Sequence, residues 1–260
     1  MLARYVKRGV IAGAVAGAAF GLLIALVANP LVAVAEELGH GGHAAAGGHH
    51  AGVESGHAHD GHGGVVSATV TNAVSAVSGV LWGILLGGVV FGVGFYFLEP
   101  IVPGRGTVQS YLLALAGFVT VSGAPWLVLP PRPPGVPEAL PADARIWIYA
   151  GMMALGAGVC LLSALAYDRL SDVRRRPTAV VGASFPFGLL AVPAVLAPDA
   201  SVAAAGSALP SEFGAGLTGL IVLGQTLLWF LLAGVHAHLR RKSAESEPGA
   251  SVGVDHPVAD

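Results

Sequence analysis

Seven of the ten histidines in this 260-residue chain, His40, His43, His49, His50, His57, His59 and His62, fall between Gly39 and Gly64 in Gly/Ala-rich sequence. Imidazole is the commonest side-chain ligand for divalent first-row metals and suits Zn, Cu, Ni, Co and Fe(II) alike. The spacings HGGH, HH and HAHDGH are short and irregular, and the intervening Gly and Ala neither hold a fixed cage nor build a core. The expected chemistry is therefore that of a disordered, multi-site, exchangeable chelator. Glu36, Glu37, Glu54 and Asp60 add candidate oxygen ligands, with Glu36 and Glu37 placed where the chain leaves an apolar run. Ligation needs neutral imidazole, so metal capture should fade below about pH 6. Because many metals suit imidazole, the histidines alone do not name the ion. A low-complexity linker is the plain alternative.

The elements that must position these residues follow from composition. Hydrophobic residues make up 54% of the chain and charged residues only 11%, too few to coat a soluble domain of this length. Apolar runs of bilayer-spanning length occur at about 9–35, 77–98, 110–129, 146–167, 179–197 and 215–236, each near the roughly 20 residues that a spanning helix needs. The expected fold is an all-α, polytopic membrane bundle of six helices. The fifth run is broken by Pro186 and Pro193 and reads as a kinked helix. Between the runs lie a His-rich segment (36–76), a Pro-rich loop (130–145) and a tail (237–260) expected to be disordered.

The first run also resembles a cleavable signal, with Arg4, Lys7 and Arg8 before it and Ala33-Val34-Ala35 after it. Five helices would remain after cleavage. An uncleaved helix accounts better for Gly9, Gly13, Gly17 and Gly21, whose four-residue interval makes one smooth stripe for close helix packing. A matching stripe, Gly79, Gly83 and Gly87, with a second row at Gly88 and Gly92, predicts that the first two helices pair.

Eleven of the thirteen basic residues fall on one side of these spans, and only Arg132 and Arg145 on the other. The positive-inside rule makes the first side cytoplasmic. Both termini are then expected inside and the histidine segment outside a plasma (inner) membrane.

Within the runs, Asp, Glu, Lys, Arg and His are absent at mid-depth, which disfavours a carrier built on a buried carboxylate. Thr120, Ser122, Ser163, Gln225 and Thr226 are expected to hydrogen-bond between helices. Met152, Met153 and the single cysteine, Cys160, are expected to pack. Glu99, before Pro100, reads as a solvated helix end, with an exit ligand as the alternative. His236 and His238, two apart on a helix, point away from each other and do not share a metal. No nucleophile with a base and orienting partner, no phosphate-cradling glycine loop and no basic, aromatic-interleaved patch is present, so neither an enzyme nor a nucleic-acid binder is expected.

One stretch carries a family likeness. The sequence Ala124-Pro125-Trp126-Leu127-Val128-Leu129-Pro130-Pro131-Arg132-Pro133-Pro134-Gly135-Val136-Pro137, followed by Ala144-Arg145-Ile146-Trp147, resembles the predicted cobalt transporter subunit family called CbtA. The first run, ending in Pro30 and Ala35-Glu36-Glu37 ahead of a histidine segment, extends the likeness. The resemblance implies an integral membrane component of cobalt uptake for cobalamin synthesis, often paired with a small single-helix, histidine-bearing subunit of CbtB type. It leaves the seven histidines with Glu36 and Glu37 as candidate ligands for a transient Co, Ni or Zn ion, with no tightly bound cofactor. The leading expectation is cobalt or nickel uptake. A non-transporting scaffold or metal-sensing subunit, and zinc or nickel efflux, are the alternatives.

Overall fold

The computed structural model describes residues 2–34, 68–132, 140–173, 176–196 and 211–245, and these are helical apart from short connections. Among the described residues six helices are long and apolar enough to cross a membrane: α1 (Leu2–Val34), α2 (Thr69–Leu98), α3 (Thr107–Trp126), α4 (Ala142–Ser171), α5 (Arg176–Leu196) and α6 (Glu212–Glu245). The chain is thus an all-α, multi-pass membrane protein. Several helices outrun the apolar segments that announce them. α1 starts at Leu2, α2 takes in 69–76, α4 starts at Ala142 and α6 continues to Glu245. The expectation of a disordered tail from residue 237 is corrected for 237–245. An apolar run ends at the last apolar residue, whereas a helix ends where backbone hydrogen bonding ends. Arg240 moreover has partners inside the bundle that hold its turn in place.

The tightest packing is between α1 and α2, which run antiparallel. A methyl group added at Gly9, Gly13 or Gly17 would land on the backbone of Gly87, Gly83 or Gly79 respectively, and one at Gly21 would meet Ala76. Lipid offers no hydrophobic drive to bring helices together, so close backbone approach and the dispersion it gains supply the adhesion. Beyond Gly87 the stripe continues at Gly92, against Tyr5 and Val6, after five residues instead of four. The longer step coincides with a π-helical stretch, Leu86–Val93, whose extra residue per turn keeps glycine on the α1 face. At the other end of the pair, the Asn29 side-chain amide donates to Asn72 Oδ1 (2.9 Å) and Ser75 Oγ (3.1 Å).

α6 lies against α1 and, on its other side, against the first half of α3. A core of Ala12, Ala16, Phe91, Phe95, Leu113, Trp229 and Leu232 joins α1, α2, α3 and α6. The second half of α3 turns to α4, where Ala124, Met152 and Val159 pack with Leu190 of α5. Helix α3 therefore bridges a four-helix group and the α4–α5 hairpin. The kink expected in α5 takes the form of a 3₁₀ stretch, Phe185–Leu190, with Pro186 at its start. Ser163 of α4 donates to the Ala183 carbonyl of α5, and Tyr149 of α4 to the Val121 carbonyl of α3. Thr226 instead bonds within its own helix, to Val222. Met152 is buried in the α3–α4 seam, as a packing residue should be.

Candidate functional site

The seven histidines with Glu36 and Glu37 lie outside the described residues, as do residues 133–139 of the Pro-rich loop. Among the described residues, no three His, Cys, Asp or Glu side chains come together. What the described residues do assemble is a polar cluster at the end of the bundle where α1 begins and α2 and α6 finish. Each of four helices contributes to it.

The cluster has two levels, one helical turn apart. At the outer level Glu99, at the end of α2, accepts hydrogen bonds from the Tyr5 phenol of α1 and from Arg240 of α6, the latter a salt bridge of 2.7 Å. Arg240 also donates to Gln109 Oε1 (3.3 Å), while the Gln109 amide donates to the carbonyls of Glu99 (3.2 Å) and Val102 (3.3 Å). Side-chain exposures of 19% for Arg240 and 27% for Glu99 put this pair between surface and interior. The reading of Glu99 as a solvated helix end is thereby corrected: its carboxylate is paired, because Arg240 and Tyr5 converge on it.

At the deeper level His236 and Ser110 are both fully buried, with Nδ1 and the serine hydroxyl 3.1 Å apart. Phe91 and Phe95 flank the imidazole with ring centroids 5.0 and 4.7 Å away. The Phe95 ring also carries the Arg240 guanidinium, 4.7 Å from its centroid. Phe95 thus contacts both His236 and Arg240. The Nε2 of His236 is buried and has no hydrogen-bond partner. His238 is exposed on another face, so the two histidines point apart as their spacing requires.

A cavity of about 780 Å³ opens among α2, α3, α4 and α5, lined by residues such as Leu98, Leu112, Val119, Cys160 and Phe187. Its walls are hydrocarbon, and its few polar groups include Thr120 and Ser163. Such a surface suits acyl chains or apolar side chains and offers little to an ion. Cys160 spends its thiol on the Ala116 carbonyl, 3.9 Å away.

From sequence, Glu99 reads as a helix end and His236 as one of two diverging histidines, while Arg240 counts only among the basic residues of the inner side and Tyr5, Gln109 and Ser110 carry no signal of their own. The available signal was spacing: His236 and Arg240, like Phe95 and Glu99, stand four apart and so share a helix face.

A family model described as a probable cobalt transporter subunit (CbtA) matches residues 2–241 of the chain. Neither a curated protein nor a solved structure matches it.

Proposed function

This chain belongs to the CbtA family of probable cobalt transporter subunits, and on that premise we propose that it is the membrane component of cobalt uptake whose external histidines collect the ion. The match over nearly the whole chain is the observation that carries the reading. The family points away from catalysis, and the word subunit implies partners. His40, His43, His49, His50, His57, His59 and His62, with Glu36 and Glu37, raise the local concentration of divalent ion beside the mouth of the bundle. The α1–α2 pair supports this placement: the segment leaves α1 and returns to α2 at the end tied by Asn29, Asn72 and Ser75. In the proposed topology both termini are cytoplasmic and the histidines external, with eleven of thirteen basic residues on the inner side. Cobalt serves cobalamin synthesis in this reading, nickel is the alternative cargo, and a small single-helix histidine-bearing subunit is the proposed partner.

A collector differs from a selective site in how its loss is felt. Changing the seven histidines to alanine is expected to raise the external cobalt concentration for half-maximal uptake several-fold while leaving the maximal rate within about twofold, because affinity is lost without loss of the route. Initial rates of labelled cobalt entry across a concentration series measure this. A fall in the maximal rate with an unchanged half-saturation would contradict the collector role.

A second reading is a non-transporting scaffold or metal-sensing subunit that presents the histidine segment to a partner. Its support is the lack of a three-ligand cluster among the described residues.

A further inference from the structure

We propose that His236 and Glu99 form a transit site for a divalent cation, and that Arg240 is the built-in countercharge which fills the place of the ion when none is bound. The proposal rests on the uptake reading above and names where the route ends.

The first observation is the orphaned nitrogen. His236 is fully buried, its Nδ1 is engaged by Ser110, and its Nε2 has no partner. A buried polar atom without a partner carries a desolvation cost that core packing does not require. Histidines that ligate metals donate the other ring N–H to a fixed acceptor, which sets the tautomer and aims the lone pair. With Nδ1–H donated to Ser110, the Nε2 lone pair of His236 is left bare. Ser110 is itself fully buried, and its hydroxyl, 3.1 Å from Nδ1 and on a different helix, is placed to be that acceptor.

The second observation is independent of the first. Glu99 is a carboxylate whose cation is a side chain on a flexible stem, reached from α6 and supported by a neutral amide, Gln109, and a phenol, Tyr5. Arg240 sits one turn beyond His236 on the same face of α6, and Glu99 one turn beyond Phe95 on α2. The two helices run parallel, so His236 faces Phe95 as Arg240 faces Glu99. The Phe95 ring touches both levels, packing against His236 at one and Arg240 at the other. Rotation of that ring and release of Arg240 toward the basic end would bring imidazole and carboxylate onto one ion. Return of Arg240 would expel the ion by restoring the salt bridge. Imidazole with carboxylate suits Co, Ni and Zn in preference to Mg or Ca. A site of two strong ligands completed by hydroxyl groups and water releases its ion readily, as transit demands.

Changing the seven histidines of 40–62 together with His238 and His256 to alanine leaves His236 as the only histidine of the full chain. Purified in detergent and titrated with Co(II) chloride, this protein is expected to bind one equivalent with the spectroscopic signature of a single imidazole nitrogen. His236→Asn should remove the nitrogen signature and weaken binding at least about tenfold. Arg240→Gln should tighten binding several-fold, because the ion no longer competes with a tethered cation for Glu99. Failure to detect imidazole-bound Co(II) in the single-histidine protein overturns the site. So does unchanged or weaker binding in Arg240→Gln, which decides the matter should His236→Asn fail to fold. Cells that lose cobalt accumulation with the gene while the purified protein shows no His236-bound ion would leave the uptake reading standing and this site refuted.

Discussion

Gly13→Ala is expected to destabilise the protein by about 2–3 kcal/mol, although alanine is the better helix former by about 1 kcal/mol. The added methyl would sit against the carbonyl of Gly83 and the Cα of Gly87, and backbone cannot swing aside as a side-chain tip can. Helix α1 must then rise off α2, and the separation forfeits the close contacts along the whole stripe from Gly9 to Gly21. Gly158→Ala is the matched comparison, since nothing lies within 4 Å of its added Cβ. There the helix-propensity gain should appear alone. Thermal unfolding in detergent and the yield of monodisperse protein report both variants. Equal stability of the two would show that the glycine stripe does not hold the pair together. Gly83→Ala attacks the same seam from the other helix, so the double substitution should cost much less than the sum of the two.

Arg240→Leu should cost about 2 kcal/mol, between the value of under about 1 for an exposed pair and about 3–5 for breaking a fully buried one. The partial exposure of both partners places it there. Leucine keeps the packing over Phe95 but leaves the Glu99 carboxylate with the Tyr5 phenol as its remaining side-chain partner. Most of the loss is the cost of an uncompensated charge, so Glu99→Gln combined with Arg240→Leu should recover the larger part of it. A double-mutant cycle measured by chemical denaturation gives the coupling, and strictly additive effects would mean that the two side chains are independent.

The contrast between these two sites explains what was legible in the sequence. Gly9, Gly13, Gly17 and Gly21 announce their role because a helix face repeats every four residues and the partner stripe at Gly79, Gly83 and Gly87 repeats with it. The six spans are legible for a similar reason: bilayer thickness imposes a length, and apolar composition marks it. The shift from Gly87 to Gly92 was not legible as one stripe, because its five-residue step is in register only once a π turn is known to be there. The polar cluster carried only the four-residue spacing that puts His236 with Arg240, and Phe95 with Glu99, on one helix face. Tyr5, Glu99, Gln109, Ser110, His236 and Arg240 come from four helices, and only the angles between those helices bring them together. The absence of mid-depth charge disfavours a carrier built on a buried carboxylate and says nothing about polar groups nearer the helix ends. Helix α6 carries His236 one turn deeper than Arg240, where its surroundings bury it completely. The same packing explains why α6 continues past the last apolar run: Arg240 is anchored to α2 and α3. For the histidine segment, sequence gives ligand type and density, while cobalt as the ion comes from the family.

Cobalt entry itself is the most direct measure of the central claim. Cells lacking the chain, and the same cells supplied with it at normal level together with its native partners, are exposed to labelled cobalt and the initial rate of accumulation is followed. The account predicts that accumulation falls to background without the chain and returns with it. Accumulation that is the same in both, or higher in cells lacking the chain, would contradict uptake, and the second of these results would mark the protein as an exporter.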